Sequence, residues 1–134
     1  MNLILVEKVN CETMKTFNKT GLDVAIYWGA VVWLMDCPFD KAVKPDLEMS
    51  STEMREFHDK LEGIWIRLRD QVGIDKAHEA TVPVTFSSQE VRCLSQCLHA
   101  VLAECDGNPL ELELRVGEVE DVRRLANELA SIVE

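Results

Sequence analysis

Residues 22–36 read Leu-Asp-Val-Ala-Ile-Tyr-Trp-Gly-Ala-Val-Val-Trp-Leu-Met-Asp, and the conformation of this segment decides the fold. The segment is apolar on every side, so its periodicity does not distinguish a helix from a strand. Its length favours a buried helix, because strands rarely reach about 15 residues. Its β-branched and aromatic content favours strands, and Gly29-Ala30 would fit the turn of a hairpin. We predict a helix, keep the hairpin as the alternative, and expect the segment to lie in the core or beneath a partner.

Three amphipathic helices are predicted beyond this segment, since apolar residues recur there every three or four positions. Two of them begin with a capping box, in which a serine is followed three residues later by a glutamate. The third has acids in its first turn, where the helix dipole favours them. The helices cover 51–72, opened by Ser50 and Glu53 and closed by Gly73; 88–104, opened by Ser87 and Glu90; and 118–133.

Three short strands are predicted from β-branched or alternating runs at 3–9, 82–86 and 110–116. The polar stretch after the first strand is expected to contain one helical turn around Met14 and Phe17. The order of these elements predicts an α+β fold, with about four helices packed on one face of a small sheet of about three strands. A mainly helical domain with minor strands is the alternative.

Composition limits the class of protein. The 134 residues fit a single domain, 1–134, and the 24 acidic against 14 basic residues give a net charge of -10. A negative surface repels phosphate, so nucleic acid and membrane are not expected partners. The longest apolar run is shorter than the roughly 20 residues of a membrane span. Five scattered cysteines and a start without signal-peptide features predict a cytoplasmic protein without disulfides.

Two histidine motifs are possible catalytic features. His78-Glu79 begins like the HExxH zinc-protease motif, but Val82 stands where the second histidine belongs. His58 lies on the predicted helix 51–72 and is a conceivable general base. Adjacent residues on a helix point about 100° apart, so Asp59 is not expected to orient His58. No catalytic residue and no cofactor are predicted from these patterns.

The cysteines offer one possible metal site. Cys93 and Cys97 are four residues apart on one predicted helix, with His99 and Cys105 near in sequence. Thiolates at that spacing suit a soft metal ion such as zinc. A structural zinc site usually has two such pairs, and free cysteines are usually buried as small apolar residues. Packing in the core is the preferred interpretation.

A group of acids near residues 116–118 is the predicted partner-binding surface. Carboxylates in such a group complement a basic protein. The alternative is an ordinary solvated face, since two of them share the outer side of the predicted strand 110–116. The residues are Glu111, Glu113, Glu118, Glu120 and Asp121.

Two segments of the second half of the chain form a pattern: Phe86-Ser87-Ser88-Gln89-Glu90 opens a helix, and Glu113-Leu114-Arg115-Val116-Gly117 precedes a final helix that ends near Leu129. This pattern resembles small, uncharacterised bacterial proteins grouped with immunity proteins of toxin systems. In those proteins the second segment is Glu-Phe-x-x-Arg-hydrophobic-Gly. Here the phenylalanine is absent and the arginine comes early. The resemblance covers residues 84–133, transfers no catalytic residue, and implies a non-enzymatic binder.

These observations together predict a non-enzymatic protein-binding protein of the immunity or antitoxin type, with an acidic surface for a basic partner. A homo-oligomerising module is the first alternative, since residues 22–36 would suit a dimer interface. A small enzyme of unrecognised type is the second.

Overall fold

The computed structural model describes residues 14–36, 49–104 and 116–132. Within these ranges the chain forms five helices and two strands, so the fold is α+β but mainly helical. It lies close to the predicted alternative of a helical domain with minor strands. The elements are β1 (Met14–Thr20), α1 (Gly21–Asp36), α2 (Ser51–Val72), α3 (Ile74–Ala77), β2 (Thr81–Ser87), α4 (Ser88–Glu104) and α5 (Val119–Ile132).

The predicted helices are confirmed as α1, α2, α4 and α5, and the short α3 is additional. The hairpin alternative for residues 22–36 is wrong. Of the predicted strands, 82–86 lies within β2. The other two, 3–9 and 110–116, lie outside the described residues except for Val116, a buried turn residue. The described part of the chain therefore holds two strands, and one of them was not predicted.

The unpredicted strand is β1, and it shows that the expected helical turn around Met14 and Phe17 is wrong. β1 pairs antiparallel with β2 along its whole length, beginning with Met14 opposite Ser87. The positions of β1 that share a face with the buried side chains of β2 are Lys15, Phe17 and Lys19. Only one of the three is apolar, so the alternation that reveals a strand is missing from the sequence.

The two-stranded sheet turns one face to the helices. The Phe86 ring lies edge-on to Tyr27 of α1 and Phe57 of α2, with centroid separations of 6.0 and 5.8 Å. The opposite face is exposed, and there Thr16 and Thr85 share a hydrogen bond between their hydroxyls of 2.9 Å. The predicted packing of helices on one face of the sheet is confirmed for these two strands.

α1 is the central helix of the described fold. It packs against α2 and α4, so its apolar surface is covered by the chain itself. The apolar character that made residues 22–36 a possible dimer interface is therefore explained by burial within one protomer. The buried side chains of α1 include Val24, Ile26, Tyr27, Ala30, Val31, Trp33 and Leu34.

Each strand runs directly into a helix, and capping bonds fix both junctions. Thr20 Oγ1 accepts a hydrogen bond from the Asp23 backbone N–H at 3.1 Å. Gly21 begins α1 so close to α3 that a Cβ at this position would lie 1.9 Å from the carbonyl oxygen of Ala77. Because that contact is far inside van der Waals distance, only glycine fits there.

The two predicted capping boxes are both confirmed. The Ser50 hydroxyl accepts from the Glu53 N–H at 3.1 Å, and the Glu53 carboxylate accepts from the Ser50 N–H at 2.9 Å. The same pair of bonds joins Ser87 and Glu90, at 3.1 and 2.8 Å. These reciprocal bonds satisfy backbone donors that a helix start would otherwise leave free. Among the described helices, none is long and apolar enough to cross a membrane.

Candidate functional site

The predicted acidic surface is described only in part. Glu111 and Glu113 lie outside the described residues. Glu118 and Glu120 are exposed at the start of α5, where the Glu118 carbonyl accepts from Val122 N–H at 3.0 Å. Acids in the first turn of a helix interact favourably with the helix dipole, and this interaction explains their position without a binding partner.

The fifth predicted acid, Asp121, belongs to a network around Arg124. Arg124 lies 3.7 Å from Asp121 and 3.3 Å from Glu128, and it donates to the buried carboxylate of Asp23 at 3.0 Å. Lys19 of β1 completes the network through Glu128, at 2.6 Å. These ion pairs join α5 to α1 and β1, so Asp121 has a structural partner rather than a free carboxylate. The sequence analysis did not identify Asp23, which is far from α5 along the chain.

A groove between α1 and α2 is open to solvent and has a volume of about 330 Å³. α1 contributes Trp28, Val32 and Met35, and α2 contributes Arg55 and His58. The three α1 side chains are half-buried, and Arg55 is exposed. We call this surface the Trp28 groove. Spacing by three and four residues on each helix places these side chains on facing surfaces.

His58 connects the Trp28 groove to a cluster of possible metal ligands. His58 Nδ1 lies 3.0 Å from Asp59 Oδ1, so the expectation that Asp59 would not orient His58 is wrong. Although the backbone directions differ, both side chains are long enough to turn toward each other. One ligand atom from each of His58, Asp59 and Glu62 lies within 4.8 Å of the others. This His58 cluster can offer a cation one nitrogen and two oxygens, at an exposed position.

The two cysteines of α4 point into the core, as the packing interpretation expects. Cys93 and Cys97 are free thiols at 2% and 0% exposure, and their Sγ atoms are 3.9 Å apart. Cys93 Sγ donates to Met54 Sδ of α2 at 3.5 Å. His99 does not join them, because it is exposed and its Nδ1 bonds to the Ser95 carbonyl at 2.7 Å. We call Met54, Cys93 and Cys97 the sulfur cluster.

Trp33, Trp65 and His78 have packing roles. Trp33 is in the core. Trp65 lies against His78, with ring centroids 5.0 Å apart. His78 is in the turn before β2 and Val82 is in that strand, so the two positions do not form the helical face that a zinc protease needs.

Comparison with known proteins adds no family: no family model, curated protein or solved structure matches the chain. The site is therefore described by its own chemistry. The Trp28 groove offers apolar contact area with one cation at its edge. The His58 cluster offers hard ligands in water, and the sulfur cluster offers soft ligands in the core.

Proposed function

We propose that the protein is a non-enzymatic binding protein whose Trp28 groove receives an apolar side chain of a basic protein partner. The observation that carries this proposal is the composition of the groove. Tryptophan, methionine and arginine are the residue types enriched at protein interfaces, and Trp28, Met35 and Arg55 bring all three to one open surface. An apolar side chain of the partner would cover the apolar surface that the groove leaves exposed.

Charge supports a basic partner. The chain carries a net charge of -10, and Asp59 and Glu62 lie beside the groove next to His58. Complementary charge accelerates encounter and selects among partners more than it raises affinity. The resemblance over residues 84–133 implies a binder of the immunity type, and such a binder would use complementary charge to find its partner.

The alternatives have less support. A general-base enzyme would use His58, whose 3.0 Å contact with Asp59 is suitable, but no serine, threonine or cysteine lines the Trp28 groove in the described part of the chain. Cys93 and Cys97 are buried in the core and do not line the groove. Self-association through residues 22–36 has less support, because most of the apolar surface of α1 is covered within the protomer.

The test is affinity capture from the source cell with the wild-type chain and with Trp28→Ala as baits, followed by binding of the purified partner to each. We expect a basic protein that binds the wild type and binds Trp28→Ala at least about thirtyfold more weakly, the loss typical of a central tryptophan. Its association should slow as salt increases, because steering by charge is screened.

Trp65→Ala is the matched control, since Trp65 is also half-buried and also contacts a histidine, but lies outside the groove. A partner lost equally from both variants would indicate general destabilisation and contradict the groove assignment. Failure of every captured protein to distinguish wild type from Trp28→Ala would overturn the proposal.

A further inference from the structure

Three sulfur atoms from two helices meet in the core. Cys93 Sγ is 3.9 Å from Cys97 Sγ and 3.5 Å from Met54 Sδ. Met54 is 7% exposed, and the two cysteines are buried more deeply. Met54 lies on α2 and the cysteines lie one turn apart on α4, so the cluster exists only when these helices are packed together.

Two of the three separations between these sulfurs suit bonding to one metal ion. A metal ion bonded to thiolate sulfur lies about 2.3 Å from it. An ion at that distance from both cysteine sulfurs, which are 3.9 Å apart, would subtend an angle of about 115° between them. The corresponding angle for Cys93 and Met54, 3.5 Å apart, is about 100°. Both values fall near those of three- or four-coordinate ions.

The donor types decide which ion fits. Two thiols and a thioether are all soft ligands, and thioether sulfur in particular favours copper(I) over zinc. The nearest imidazole in sequence, His99, is bonded to its own helix and exposed, so it does not supply the nitrogen that a mixed zinc site would use. We propose that Met54, Cys93 and Cys97 bind one copper(I) ion in the core of the protein.

Binding exchanges two thiol protons for the copper(I) ion. Copper(I) forms bonds to the two cysteine sulfurs and to the Met54 thioether, and the two thiols release their protons to solvent; no electron is transferred. Binding should strengthen as pH rises, because both thiols must lose their protons to form the metal–sulfur bonds.

The test is anaerobic competition for copper(I) between the full-length protein and a chromophoric copper(I) chelator. The chain has three other cysteines, so the reference protein carries Cys11→Ser, Cys37→Ser and Cys105→Ser. We expect this reference to take one copper(I) per chain. Adding Cys93→Ser should weaken binding at least about a hundredfold, because a thiolate ligand is lost. Met54→Leu, which conserves volume, should weaken it about tenfold.

A second measurement keeps the proposal testable if a cysteine variant fails to fold. Silver(I), a redox-stable soft ion, is added to protein labelled at the methionine methyl groups and followed by NMR. One of the five methionine signals should shift with one equivalent of silver(I), and Met54→Leu identifies it. Equal copper retention by the reference and its Cys93→Ser variant, or a silver-induced shift at a different methionine, would overturn the proposal. The Trp28 groove uses none of these sulfurs, so either idea can fail alone.

Discussion

α2 carries two sets of metal-binding atoms one turn apart, and they differ in the properties that govern metal binding. Met54 points inward to Cys93 and Cys97, whereas His58, four residues on, points outward beside Asp59 and Glu62. The sulfur cluster is soft and buried. The His58 cluster offers one imidazole and two carboxylates and is partly exposed, with 66% of the Asp59 side chain but 19% of the His58 side chain open to water.

The difference shows that close ligand atoms are not enough to make a site. Exposed carboxylates are already well solvated, so an ion must displace water that binds them nearly as well. Arg55, one turn earlier on the same helix, adds a positive charge near the His58 cluster. Buried thiols compete for a soft ion mainly through their own protons, which the ion displaces as it forms the metal–sulfur bonds.

The largest expected effect comes from changing the charge at one position in each cluster. Cys97→Asp puts a carboxylate at a fully buried site without a cation, and we expect the free energy of unfolding to fall by about 3 kcal/mol or more. The matched change outside, Asp59→Asn, should alter it by no more than about 0.5 kcal/mol. Urea unfolding measures both. Similar losses for the two variants would mean that the core around Cys97 is open to water.

Tyr27 tests whether that core is closed. It is the only tyrosine, and burial, followed by the nearby charge of Asp23, raises the pKa of its phenol well above the ordinary value of 10.0. Because the phenol ionises more readily in the unfolded chain, its neutral form contributes fully to folding stability below pH 10.0. This contribution is lost as pH rises above that value. We expect the tyrosinate absorbance to appear only together with loss of helical circular dichroism. Ionisation near pH 10.0 in a folded protein would contradict the closed core.

The His58 cluster should bind zinc only weakly. In a titration followed by tryptophan fluorescence, with Trp28 6.0 Å from the His58 ring, we expect saturation only near millimolar zinc, about -4 kcal/mol. His58→Ala should abolish the change, while His78→Ala, which removes the histidine beside Trp65, should leave it. Micromolar zinc binding that depends on His58 would reverse the ranking of the two clusters.

Most of the helices were predictable, because their signals are local. The boxes at Ser50 and Ser87 and the stripes of α2, α4 and α5 lie within short windows of sequence. The length of residues 22–36 was also enough to choose a helix for α1. β1 was missed because two of its three inward positions are lysines, one of which, Lys19, pairs with Glu128 of α5. That pairing depends on the tertiary fold.

The candidate sites depend on pairs of elements that no local pattern joins. Trp28 belongs to the apolar run 22–36 and His58 to the predicted helix 51–72, and only the packing of α1 on α2 makes them one groove. The Cys93–Cys97 spacing was visible on one helix, whereas Met54 carried no sign of its role. His99, the histidine near these cysteines in sequence, bonds instead to the backbone of its own helix.

The smallest expected effect concerns the start of the helix that carries both clusters. Hydrogen bonds from the Ser50 backbone N–H and side chain, with a further one from Gln89, lower the pKa of Glu53. Because the folded state favours the carboxylate form, Glu53 adds folding stability above its ordinary pKa of 4.5. This added stability is lost as pH falls through the lower pKa that Glu53 has in the folded protein. Thermal unfolding of Glu53→Gln should therefore begin at a slightly lower temperature than that of the wild type at pH 7, and the two unfolding temperatures should converge in acid.

Because Met54 follows Glu53 directly while His58 lies a turn further in, the same variant should weaken silver(I) binding more than zinc binding. An equal effect on both ions would mean that the first turn of α2 does not loosen separately from the second.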